Sequence, residues 1–229
     1  MPALHLVFDL DDTLYPEREF AVGGFKAAAA WAQSKLGVNV SVERMVTLLD
    51  DGHLGKLFGI VLEDAMPDHS DDDLKQMLRA YGAQTPSIAL FADAADALAH
   101  WQRRGPLGLI TDGHAKTQQS KVGALALSDT FAHIVYTGSL GADRAFHKPH
   151  PRAFELMETA LGAAGDRLVY VGDNLAKDFV APNALGWRTV LVDRPHHRDF
   201  RIHKSAVAPA GGDPHHVIAD LGELVRVLD

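Results

Sequence analysis

Five short apolar runs, at residues 4–8, 107–110, 134–136, 168–171 and 189–192, punctuate a chain in which apolar positions otherwise recur at helical spacing. Each run is the length of a buried strand. Helices are predicted between them at 92–104, 115–125, 151–161 and 176–185, each long enough for a crossover, so the alternation implies a parallel α/β sheet. Pro151 falls at a first helical position, where its missing N–H is harmless. Residues 217–228 read as a short strand turning into a closing helix. No internal repeat is present.

Between residues 16 and 86 the β-branched runs disappear and only helical spacing remains, which marks an inserted all-α module. Its expected helices are 20–36, 42–49, 54–63 and 71–81, with Ser41 and Ser70 as N-caps. Trp31, Leu48, Leu57, Phe58 and Leu78 are read as packing residues of this module. The segment 194–216 is rich in Pro, Gly and His and has no fixed metal-ligand spacing, so it is expected to be a solvated loop.

Composition narrows the function. The chain of 229 residues is 47% hydrophobic, enough for a sizeable core, and it contains no cysteine. Disulfides, thiolate zinc sites and cysteine nucleophiles are thereby excluded, and a reducing compartment, the cytoplasm, is the expectation. No basic leader and no long uncharged apolar stretch are found, so no membrane association is expected. A net charge of −8 without a Lys/Arg block argues against a nucleic-acid partner. A small anion would need local positive charge from a metal or a lysine.

The candidate chemistry lies where the strands stop. The first ends in Asp9-Leu10-Asp11-Asp12-Thr13, whose carboxylates at i and i+2 project to one side of an extended chain, so one can attack while the other handles a proton. The second ends in Thr111-Asp112-Gly113, which suits either a helix cap or an anion held by a hydroxyl and backbone N–H groups. Lys148 lies in His147-Lys148-Pro149-His150-Pro151, where a surface lysine and an aimed ammonium both fit. The fourth run ends in Gly172-Asp173, with Asp178 five residues on, near a helix start whose dipole acids favour. At one sheet edge these groups would form an anion-processing site.

Taken in this order, Asp9 through Thr13, Thr111, Lys148 and Gly172-Asp173 through Asp178, the chain resembles the haloacid dehalogenase superfamily of aspartate-nucleophile hydrolases from residue 7 to about 187. The resemblance implies a Rossmann-like parallel sheet with helices on both faces, residues 1–15 and 87–229, carrying an α-helical cap at 16–86. It casts Asp9 as nucleophile and Asp11 as acid and base, partly protonated through neighbouring negative charge. Lys148 would offset transition-state charge, and Thr111 with the N–H groups of Asp112 and Gly113 would hold phosphate oxygens. Mg²⁺ would be held by Asp9, Asp173, the Asp11 backbone carbonyl and, in a supporting role, Asp178. Thr13 would brace the loop. Asp12 receives no role, and Tyr15 and Glu17 fall where the chain enters the cap.

Within that superfamily Asp11 discriminates, because a departing halide needs no proton whereas an alkoxide does. The reading is a Mg²⁺-dependent phosphatase acting on a small phosphorylated metabolite, a sugar phosphate or nucleotide monophosphate, through an aspartyl-phosphate. A phosphomutase and a catalytically silent binding protein of the same fold are the alternatives. The cap segments do not specify a substrate, nor the sequence a choice between monomer and homodimer.

Overall fold

The computed structural model describes residues 4–200, 202 and 207–228. Six strands form one wholly parallel sheet: β1 (His5–Phe8), β2 (Gly108–Thr111), β3 (His133–Tyr136), β4 (Leu168–Gly172), β5 (Arg188–Val192) and β6 (His216–Ile218), in the order β3-β2-β1-β4-β5-β6. β1 is therefore central, with Val7 beside Gly108 of β2 and His5 beside Leu168 of β4. The strand order reverses between β1 and β4, and a doubly wound sheet opens a crevice at the carboxyl ends of such a pair.

Helices α5 (Ala92–Gln102), α6 (Ala115–Ala124), α7 (Arg152–Leu161) and α8 (Val180–Ala184) connect the strands, and α9 (Leu224–Leu228) follows β6. Before them in the chain come α1 (Glu17–Leu36), α2 (Val42–Asp50), α3 (Leu57–Ala65) and α4 (Asp71–Gly82). On one face of the sheet Val7, Ile110, Val135 and Tyr170 pack with Phe154 and Met157 of α7 and with Trp187. Phe154 meets Tyr170 and Trp187 edge to face, with centroids 5.0 and 5.5 Å away. Leu6 and Phe8, which alternate to the other face, are equally buried.

The chain divides into two compact units, Met1–Pro16 with Ala89–Asp229, and Glu17–Ile88. Within the helical unit, α1 packs on α4 so closely that a Cβ on Gly24 would fall 2.3 Å from the Tyr81 ring. Phe25, Phe58 and Tyr81 form its aromatic centre, Phe58 and Tyr81 being 5.1 Å apart. Ser41 caps α2 by accepting the Arg44 N–H, and Ser70 forms a reciprocal capping box with Asp73 on α4. Leu48, Leu57 and Phe58 are buried, but Leu78 is 44% exposed, because the inner face of α4 is taken by Met77.

Other expectations need correction. The helix expected at 176–185 shrinks to Val180–Ala184, because residues 174–178 form a turn in which Asp178 Oδ2 accepts the Asn174 N–H at 2.9 Å. Helix α7 starts one residue after Pro151, whose carbonyl accepts from Phe154 and Glu155. The segment 194–216 is not simply solvated: Arg194 is buried, His197 reaches Asp12, and His215 Nδ1 lies 2.7 Å from Thr189 Oγ1. His203 lies outside the described residues. Among the described residues no helix is long and apolar enough to cross a membrane.

Candidate active site

Asp9 continues the pairing of β1, its N–H donating to Val171 O at 2.9 Å, and this places it beside the end of β4, where Asp173 follows. Asp178 is folded back onto the same point. One carboxylate oxygen of each of Asp9, Asp173 and Asp178 lies within 4.8 Å of the others, and all three residues are buried. Gly172 permits the return of Asp178, since a Cβ there would stand 2.5 Å from Asp178 Oδ2.

Lys148 is the counter-charge. Its Nζ lies 2.7 Å from Asp9 Oδ1, 2.8 Å from Asp178 Oδ1 and 2.8 Å from the Tyr170 hydroxyl, and its side chain is wholly buried. Burial works against its charge, but Asp178 and Asp9 outweigh it and hold the ammonium well above its ordinary pKa. Burial also pushes Asp9 up to about 6, with Asp178 adding to the rise and Lys148 opposing it. Lys177 adds a second positive charge near Asp9 and Asp178, while Lys148 is the ammonium in direct contact with both. Three buried carboxylates, each offering an oxygen to one point, fit a hard divalent cation such as Mg²⁺.

The Asp11 carboxylate does not join this group. It receives the Tyr15 hydroxyl at 2.5 Å and Lys121 Nζ at 2.6 Å on Oδ1, and Gln118 Nε2 at 2.9 Å on Oδ2. Burial would raise its pKa, but the Lys121 charge and these hydrogen bonds together lower it. The expected negative surroundings of Asp11 are therefore replaced by a cation and two neutral donors.

Thr111, buried at the end of β2, accepts from the same Gln118 Nε2 at 2.5 Å. The Asp112 side chain is structural: it takes the Thr137 hydroxyl at 2.8 Å, the Lys148 N–H at 3.1 Å and Lys177 Nζ at 3.2 Å. Burial opposes its charge, yet Lys148 and Lys177 keep its pKa low. Gly113 follows at φ +120, a conformation glycine tolerates, and its carbonyl lies where a Cβ on Gly138 would come within 2.1 Å. The loop after β2 is thus locked against the start of the loop after β3.

Several neighbours were missed by the sequence reading. Gln118 and Lys121 lie one turn apart on the inner face of α6, where apolar residues would be usual, and a polar i, i+3 pair by itself does not mark that face as buried. Tyr170 looked like one more strand residue. Asp12, buried in the left-handed region at φ 54, is 2.9 Å from His197 Nε2. The Thr13 carbonyl, rather than its hydroxyl, does the bracing, accepting from Arg194, which also pairs with Asp93 at 2.7 Å and stacks on Phe91.

A glyceraldehyde 3-phosphate phosphatase from Methanopyrus kandleri is 27% identical over 204 residues, 85% of this chain and 86% of that protein. A ribulose-1,5-bisphosphate 5-phosphatase from Halopiger xanaduensis is 28% identical over 99% of both chains. Among solved structures, the putative HAD-hydrolase YfnB of Bacillus subtilis, bound to magnesium, matches with a TM-score of 0.72 at 19% identity over the whole of both chains. A 2-haloacid dehalogenase from Pseudomonas syringae matches at 0.65 with 24% identity over 99% of this chain and 98% of that one. These structures share the fold, whatever their chemistry. The model of the haloacid dehalogenase-like hydrolases matches residues 4–186, from β1 to the turn before β5, so every strand end that carries a candidate group lies inside it and the chain belongs to that family.

Proposed function

We propose that the protein is a Mg²⁺-dependent phosphatase of small phosphorylated metabolites, with sugar phosphates as the favoured class. The observation that carries the reading is the pairing of Asp9, held in the buried acidic group, with Asp11 two residues on and outside it. Phosphatase-named relatives that align over most of this chain support the reaction and the substrate class. A hydrolytic dehalogenase would have no use for the second carboxylate.

In this proposal Asp9 attacks phosphorus and the bond from phosphorus to the alkoxyl oxygen breaks, while Asp11, whose pKa Lys121 holds low, takes up the proton that a phosphate monoanion brings into the site and passes it to the departing oxygen. Asp11 then takes a proton from water as that water's oxygen attacks the aspartyl-phosphate, freeing Asp9 and inorganic phosphate. Asp9, Asp173, the Asp11 carbonyl and Asp178 would hold Mg²⁺, which when bound neutralises charge developing on the phosphoryl oxygens. Lys148 keeps Asp9 oriented, and Thr111 with the Asp112 and Gly113 N–H groups receives the remaining oxygens.

The test is turnover of p-nitrophenyl phosphate with Mg²⁺ by the unaltered protein and by Asp9→Asn, followed by a phosphorylated-metabolite screen reported as kcat/KM. Turnover that depends on Asp9 supports the reading. Equal background from both proteins overturns it in favour of a silent binding protein.

A further inference from the structure

We infer that helix α6 is the positioning element of the reaction, with Gln118 and Lys121 fixing Asp11 and, through Gln118, tying it to Thr111. The inference rests on the phosphatase reading of this site. Gln118 and Lys121 are 2% and 3% exposed, so two polar side chains have been placed on the buried face of a helix, where they need partners. Both find them in the Asp11 carboxylate, at 2.9 and 2.6 Å.

The chemistry of each contact is specific. Lys121 Nζ and the Tyr15 hydroxyl converge on Oδ1, and the ammonium also sits 5.9 Å from the Tyr15 ring centroid, so Oδ1 is held from two directions. Gln118 Nε2 spans Asp11 Oδ2 and Thr111 Oγ1. Because an amide N–H occupies an acceptor site on Thr111 Oγ1, the threonine's own hydroxyl hydrogen is left to point to an anion. One side chain thereby sets both the direction of the phosphate-holding hydroxyl and the rotamer of the proton-transferring carboxylate. The side chain of Asp11 is 20% exposed against 4% for Lys121, so the carboxylate is partly accessible while its anchor is dry. Misplacement of such a group by about 1 Å costs on the order of 10²-fold in rate.

The experiment compares two aryl phosphates on the Mg²⁺-loaded protein: phenyl phosphate, whose leaving group needs a proton, and 2,4-dinitrophenyl phosphate, whose leaving group does not. Lys121→Met is expected to lower kcat/KM for phenyl phosphate by about 10²-fold and for the dinitrophenyl ester by less than about tenfold. Tyr15→Phe, which keeps the ring, should shift the ratio the same way by several-fold. Both rates come from one preparation, so their ratio does not depend on how much of a variant has folded. In an Asp11→Asn background, Lys121→Met should add no more than about twofold on phenyl phosphate, because the lysine acts through a group already removed. Proportional losses on the two esters, or additive losses in the double variant, overturn the positioning role alone. An unaltered protein that hydrolyses neither ester overturns the phosphatase reading and this inference with it.

Discussion

Asp9 and Asp11 leave the same strand end two residues apart, yet their surroundings drive their carboxyls in opposite directions. Asp9 is enclosed with Asp173 and Asp178, and burial raises its pKa to about 6 although Lys148 is 2.7 Å away. Asp11 stands at the boundary with solvent, and a lysine with two neutral donors lowers its pKa. The first environment gathers three buried carboxylates around one point, whereas the second sets a single carboxylate against a cation and two neutral donors. Spacing along the strand therefore supplies the pair of carboxylates, and the elements packed around them give each its character. A divalent cation bound there would relieve the repulsion between Asp9 and Asp178 that helps to raise the Asp9 pKa.

That contrast can be broken from either side. Asp9→Asn should reduce p-nitrophenyl phosphate turnover by about 10⁵-fold or more, since the attacking oxygen is lost, as steady-state kinetics would show. Asp11→Asn should cost about 10² to 10⁴-fold on alkyl phosphates, and with 2,4-dinitrophenyl phosphate, whose leaving group needs no proton, it should leave a phosphorylated protein detectable by intact-mass measurement. Lys148→Met should destabilise the metal-free protein by about 3–5 kcal/mol in denaturant unfolding, because it strands buried carboxylates without their counter-charge. Adding Mg²⁺ at about a hundred times its Kd should stabilise the unaltered protein by about 2.7 kcal/mol in the same assay. Asp173→Asn should diminish that gain, and an undiminished gain would place the ion elsewhere.

The strand ends were legible because each couples an apolar run to a chemically distinct residue, and a parallel sheet brings such ends to one edge. The six-stranded core and its crossovers followed from the same pattern. Less legible were partners contributed by helices and turns. Gln118 and Lys121 look like ordinary polar positions of an exposed helix until α6 is seen to turn that face inward. Residues 176–179 satisfy helical spacing, but the Asp178 carboxylate competes for the Asn174 N–H and makes a turn of them. Arg194 and His197 lie in a stretch whose composition reads as loop, and only the fold brings them to Thr13 and Asp12.

The central place of β1 has a consequence for how the chain reaches this state. Its two neighbours in the sheet come from beyond residue 100 and beyond residue 160, so both of its ladders join segments far apart in the chain. Long-range parallel pairing of this kind is slow and exposed to aggregation. The strand that ends in the candidate nucleophile thus has its full set of pairing partners only after β4 has been made, later in the chain than Lys148.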